Sequence, residues 1–532
     1  MSFTGWEYPF FLAAIFGVYW SLRLRGRWWL LMLSSYAFYA TWDARFLALL
    51  LSSTAIDYFC GRALAGERRP IWQIILACSL PALWLGICAL SAGIPGNPLS
   101  SSLQVTPRLI GLAGTLPLLF TCAYILCWRQ GDGRVGKAFL ALSIGSNLVT
   151  LGFFKYFNFF RDSLQTLLSS LGWETGWPAS TVILPVAISF YTFQSISYAV
   201  DIYRRRGEPA RDYVLFSAYL AFFPQLVAGP IERVGRFLPQ FESPRIWRMD
   251  HLHIGLRLIV TGLFKKIVVA DNCAVVANYA FDSKDSIGGP MALLGALAFA
   301  FQIYGDFSGY TDLARGSARL LGIELSSNFE FPYSARGPAE FWQRWHKTLS
   351  SWFRDYVYIP LGGNRKGPGL EFRNVWITMA LAGIWHGASW NFLIWGFYHA
   401  AILSLYRLCR PLSALETAPS GIGRGAAVGL MFLWTLLGWV FFRCTSLPQL
   451  GHWFGALGDW TLPSLASVAR PTLWIAIHVA PLLLLQWSTR AARDEMENTH
   501  WRWPVRGLAY AAAVMAIASS SSQHQEFLYF QF

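Results

Sequence analysis

Two histidines stand forty positions apart in sequence of membrane type. His346 lies in Phe341-Trp342-Gln343-Arg344-Trp345-His346-Lys347, and His386 in Gly383-Ile384-Trp385-His386-Gly387-Ala388-Ser389-Trp390-Asn391. A full charge at the centre of an apolar helix costs at least ~2.5 kcal/mol. Histidine avoids that cost by staying neutral, and a neutral imidazole still takes or gives a proton near neutral pH. Two histidines so placed suit proton-transfer chemistry. Each also has a plainer reading. His386 can be a core histidine packed between Trp385 and Trp390, and His346 an interfacial anchor in a Trp-rich segment. His399, thirteen residues past His386, would lie about 20 Å away along one continuous helix and reads as structural. Asp306 and Asp312 either hold protons or substrate, or pair with Arg315 or Arg319. Asn391 either hydrogen-bonds the site or caps a helix.

The elements that must position these residues are membrane helices. Apolar residues make up 55% of the 532-residue chain and charged residues 14%, against about 25% charged in soluble domains. Mean hydropathy is +0.38. Apolar runs recur from end to end, each long enough for the ~20 residues of a bilayer span. The expected fold is all-α and polytopic, one transmembrane domain over residues 1–532. It would carry about 13–15 membrane segments plus re-entrant or interfacial helices. The net charge of +14 falls in short loops between spans, which explains it without nucleic acid. Eight cysteines lack C-x-x-C spacing and read as core residues, with neither a disulfide frame nor a metal site.

Loop charge gives a topology. Arg23, Arg25 and Arg27 follow the first apolar run, which places Met1 outside and the arginines in the cytoplasm. Basic loops at 62–69, 129–137 and 204–211 then alternate with non-basic ones at 41–45, 91–107 and 162–181. The alternation implies seven spans between residues 8 and 200. Within that group, 70–128 looks like an extra helical pair. Later spans are expected near 212–230, 253–275, 290–310, 374–386, 390–409, 425–443, 471–487 and 505–518. A core group would cover 211–410 and a C-terminal group 425–532. The stretch 311–372 is too rich in Arg, Pro and Gly for a simple span and reads as interfacial or re-entrant helices.

Collinear blocks then identify a family. They include Ser34-Ser35-Tyr36-x-Phe38-Tyr39, Gly152-Phe153-Phe154-Lys155-Tyr156, Pro224-x-x-x-Ala228-Gly229-Pro230 and Tyr304-Gly305-Asp306-Phe307-Ser308-Gly309-Tyr310-Thr311-Asp312. Asn328-Phe329, the His346 and His386 segments, Leu361-Gly362-Gly363-Asn364-Arg365 and the terminal Phe527-Leu528-Tyr529-Phe530-Gln531-Phe532 continue the series. Together they resemble the membrane-bound O-acyltransferase (MBOAT) family, in its bacterial branch that serves alginate O-acetylation. The resemblance implies acyl transfer through a tunnel in the inner membrane, with a periplasmic N-terminus. Acetyl-coenzyme A (CoA) would be the cytoplasmic donor, and no cofactor would be permanently bound. The acceptor would be an exported polysaccharide such as alginate or cellulose, reached directly or through a periplasmic SGNH-type partner. His386 matches the family's essential histidine and would be the general base, while His346 would orient or polarise the thioester carbonyl. Trp385, Asn391 and Asp306 would line the tunnel. Arg344, Lys347, Arg354, Arg365 and Lys366 would bind CoA phosphates, although basic loops also simply contact lipid phosphate.

Two other classes remain open. A lipid-linked sugar transporter or flippase should show inverted repeats or paired intramembrane charges, and neither is visible. A non-catalytic scaffold of a polysaccharide-modification complex should tolerate loss of His386.

Overall fold

The computed structural model describes residues 1–92, 106–131, 133–173, 181–227, 229–283, 287–419, 421–460, 465–489, 501–520, 525 and 527–528. Much of the loops expected outside at 91–107 and 162–181 lies outside the described residues, as do Ala228 and the last four residues of the terminal string. All regular structure among the described residues is helical. The chain is an all-α polytopic membrane protein. Among the described residues, seven helices, or eight counting one bent pair, are long and apolar enough to cross a membrane. Several other apolar stretches form shorter rods. Glu7–Ser21, Leu24–Ala40 and Ile188–Tyr203 hold 15, 17 and 16 residues, under the ~20 of a full span. The stretch 212–230 is not one rod. It breaks into Tyr213–Leu220 and Phe223–Leu226, because Pro224 lacks the N–H that would continue the first helix.

The chain forms two compact units. The first comprises Met1–Leu252 and Ser317–Leu325. Leu47–Leu64 is one of its most buried rods. In its middle the carboxylate of Asp57, fully buried, accepts from Ser143 Oγ at 2.6 Å, Asn147 Nδ2 at 2.9 Å and Ser53 Oγ at 3.1 Å. These bonds replace the water that an intramembrane carboxylate loses. Ile71–Ala92 and Pro107–Trp128 pack together and expose Leu76, Leu83, Leu118 and Leu119, a surface suited to lipid.

The second unit comprises His253–Gly316 and Ser326–Phe532. Met249–Leu263 continues through a wide π turn, Phe264–Ala270, into Asp271–Asp282. This rod lies backbone to backbone on Gly288–Leu320. A methyl on Gly309 would come within 2.7 Å of the Gly262 carbonyl, and one on Gly305 within 2.8 Å of the Lys265 carbonyl. Small residues permit such approach in membranes. Past residue 325 come only short pieces, Pro332–Ser334, Pro338–Arg344, Lys347–Phe353 and the π turn Arg354–Tyr358. Full helices return as Pro368–His386, Trp390–Leu408, Gly421–Arg443, Leu465–Ser488 and Trp503–Ser520.

Candidate active site

His386 is the last residue of Pro368–His386, and three residues later Trp390–Leu408 begins. The two helices fold against each other at touching backbones. A Cβ at Gly383 would strike the Phe392 carbonyl, and one at Gly396 the Met379 carbonyl. Ser389 caps the second helix by accepting from Asn391 N at 3.3 Å. Asn391 Nδ2 donates to the Cys444 carbonyl at 2.7 Å. This sets Asn391 as a tie between helix ends. The corner places the His386 ring among aromatic faces, with centroids 4.9 Å from Trp385, 4.8 Å from Trp395 and 5.1 Å from Phe442. The residue is 5% exposed.

His346 sits at the join between Pro338–Arg344 and Lys347–Phe353. Its backbone is left-handed, φ 42° and ψ 55°, a conformation that a residue with a Cβ adopts at a cost of roughly 1–2 kcal/mol. Neighbours enforce it. The Asn328 carbonyl accepts from Lys347 N at 2.9 Å, and Asn328 Oδ1 accepts from Thr348 Oγ1 at 2.6 Å. The His346 ring is completely buried, 4.6 Å from Phe307 and 6.2 Å from Trp385. Neither ring nitrogen meets a hydrogen-bond partner on another described residue. Buried polar atoms are nearly always partnered, which sets this ring apart from ordinary core packing.

Trp385 thus neighbours both histidines, at 6.2 and 4.9 Å. His399 is nearer than a continuous helix would allow, because the corner at Gly387–Ser389 intervenes. The Trp395 ring lies between His386 and His399, 4.8 and 4.7 Å from each, in place of the expected 20 Å separation. His399 also packs on Trp342 at 5.0 Å.

Asp312 takes one of the arginines expected for it, Arg315, and a lysine besides, while Asp306 takes a lysine instead. Asp306 pairs with Lys266 at 2.7 Å, and Lys266 also with Asp271 at 2.8 Å, all nearly fully buried. Asp306 Oδ2 further accepts from Leu528 N at 2.7 Å. Asp312 pairs with Lys265 at 2.8 Å and Arg315 at 3.4 Å. Sequence reasoning missed Lys265, Lys266 and Asp271. The available signal was the Lys265-Lys266 pair inside an apolar run, since intramembrane charges require partners. Asp306 therefore turns to Lys266, while its neighbour Phe307 reaches His346. Phe527 packs 4.0 Å from Tyr310 and 6.2 Å from Phe307, which brings part of the terminal string to the same wall.

Most of the basic residues are taken up by acids next to them. Arg344 donates to Glu340 at 2.6 Å and to Ser334 Oγ at 2.9 Å. Lys347 pairs with Glu330 at 3.0 Å, and Arg354 with Asp355 at 2.8 Å. Arg365 and Lys366 are exposed and carry no ion pair among the described residues. They leave a tight turn in which Gly362 and Gly363 hold φ of 116° and 56°. Asn374 Nδ2 fastens that turn by donating to the Gly363 carbonyl at 2.9 Å. The turn precedes the helix that His386 ends, so about 28 Å of helix separates it from the histidine. No group of three or more His, Cys, Asp or Glu suited to a metal occurs among the described residues.

Comparison with known proteins agrees with this architecture. Residues 211–447 match the model of the membrane-bound O-acyltransferase family. The chain is 34% identical to a probable alginate O-acetylase of Pseudomonas putida, over 98% of each chain. It is 35% identical to a peptidoglycan O-acetyltransferase of Helicobacter pylori, over 69% of this chain and 72% of the relative. A teichoic acid D-alanyltransferase of Bacillus subtilis is 28% identical over 43% of this chain and 60% of its own.

Proposed function

Because the chain belongs to the membrane-bound O-acyltransferase family and is an acyltransferase, we propose that it carries acetyl from cytoplasmic acetyl-CoA across the inner membrane for an exported polysaccharide. The N-terminus is periplasmic in this reading. The observation that supports it most is the pair of buried histidines flanking Trp385, both set among aromatic rings.

His386 is the general base. As an acceptor hydroxyl attacks the thioester carbonyl, its proton passes to the imidazole. The tetrahedral adduct collapses with loss of the CoA thiolate, which takes a proton back from the imidazolium, leaving an acetyl ester and free CoA. Surrounding rings exclude water that would otherwise hydrolyse the thioester. His346 offers a ring N–H to the carbonyl oxygen, where charge develops. Arg365 and Lys366 meet the CoA phosphates, with the donor's arm lying along Pro368–His386.

The acceptor hydroxyl belongs either to the glycan, such as alginate or cellulose, or to the serine of a periplasmic SGNH-type partner. The test uses purified protein in sealed proteoliposomes, with acetyl-labelled acetyl-CoA outside and oligosaccharide or partner enzyme inside. Labelled ester in the lumen is the expected result. Labelled sugar crossing without any donor would identify a transporter instead.

A further inference from the structure

A cavity of about 430 Å³ lies in the second unit, away from the histidines. Its walls are Met249–Leu263 with the π turn after it, Leu465–Ser488 and Trp503–Ser520. Along Trp503–Ser520 the floor is Ala509, Ala512, Ala513 and Ala516. Alanines leave a trough there, and Phe264 and Leu484 form its sides. The lining is apolar except at one end. Arg506 is part of it, and Arg257 lies one turn before Thr261, another lining residue. Both guanidinium groups lie within electrostatic reach of Tyr510, which lines the trough one turn past Arg506. No Asp or Glu is among the lining residues.

The dimensions match a lipid. From Arg506 to Ala516 the helix rises about 15 Å, half of the ~30 Å hydrocarbon core, the depth of one leaflet. Trp501, also in the lining, sits just beyond the arginine end, where a headgroup-level indole belongs. A trough one leaflet deep, with two cations at the mouth and methyl groups at its foot, is complementary to a phospholipid of net negative charge.

We propose that this cavity is a binding site for one anionic phospholipid of the phosphatidylglycerol type, its acyl chain on the alanine floor and its phosphate between Arg257 and Arg506. The charge pair selects the headgroup, and the trough holds the chain more firmly than bulk lipid.

The experiment is native mass spectrometry of the full-length protein released from nanodiscs of mixed phosphatidylglycerol and phosphatidylcholine. Wild type should retain one phosphatidylglycerol after loosely held lipid is stripped. Arg257→Gln with Arg506→Gln should retain the two lipids equally. Ala513→Phe, which fills the trough, should retain neither, and Ala512→Leu serves if that variant is not monodisperse by gel filtration. The proposal is overturned if wild type shows no preference for phosphatidylglycerol, if the filled variants retain lipid like wild type, or if a second copy of the chain replaces the lipid.

Discussion

The Asn328 carbonyl accepts the Lys347 amide at 2.9 Å, and this bond closes around His346 to hold it left-handed. Neither of its ring nitrogens meets a hydrogen-bond partner on another described residue, and the proposed mechanism uses one of them. His346→Gly should fold at least as well as His346→Ala, because glycine adopts this backbone freely while alanine is strained by roughly 1 kcal/mol. Acetyl transfer should fall in both. If thermal stability follows this order and transfer is unchanged, His346 has no part in the reaction.

Asn328→Ala tests the anchoring of that segment. It removes the amide that bonds Thr348 at 2.6 Å and Thr311 at 3.4 Å, so stability should drop by about 1–3 kcal/mol. Turnover should drop more than donor affinity, since the histidine would be less well aimed. A melting curve and a kcat-against-KM comparison on purified protein check both.

Lys266→Ala leaves the carboxylates of Asp306 and Asp271 buried without their shared cation. Removing one partner from a buried ionic group destabilises by ~3–5 kcal/mol. Fluorescence-detected gel filtration should show little monodisperse protein. Adding Asp306→Asn and Asp271→Asn should restore much of it, because no charge then remains unpaired. Equal recovery of Lys266→Ala and wild type would show that the cluster is not structural.

The sequence made the class, the family and the two histidines legible, and hid what depends on chain reversals. Composition and loop charge point to a polytopic helical protein, and the MBOAT blocks run in order along the chain. The position of His399 was misjudged because Gly387 and Ser389 look like ordinary small residues, yet they turn the chain and set Trp395 between His386 and His399. Arg315 does pair with Asp312 as expected, but the lysine partners of Asp306 and Asp312 were missed because Arg315 and Arg319 are closer in sequence. The π turn at Phe264–Ala270 instead delivers Lys265 and Lys266 from forty or more residues away. Apolar length alone also does not reveal a break such as the one at Phe222.

The donor assignment divides the basic residues. Arg365 is exposed and free of ion pairs among the described residues, so Arg365→Glu should raise KM for acetyl-CoA more than it lowers kcat. That effect should shrink with a truncated thioester that lacks the nucleotide. Arg344→Glu breaks the pair with Glu340 and should lower the amount of folded protein, with equal losses for both donors. Equal losses for both donors in the Arg365 variant would assign that turn to lipid contact.

The central claim is that His386 takes the proton from the attacking hydroxyl. The most direct measurement is acetyl turnover by purified His386→Ala in proteoliposomes, normalised to correctly folded protein. Its ring touches aromatic faces rather than bearing a wall of the fold, so the variant should insert and remain monodisperse. Turnover should fall by the ~10²–10⁴ expected for a lost general base. A monodisperse variant that keeps more than half of wild-type turnover would contradict the assignment.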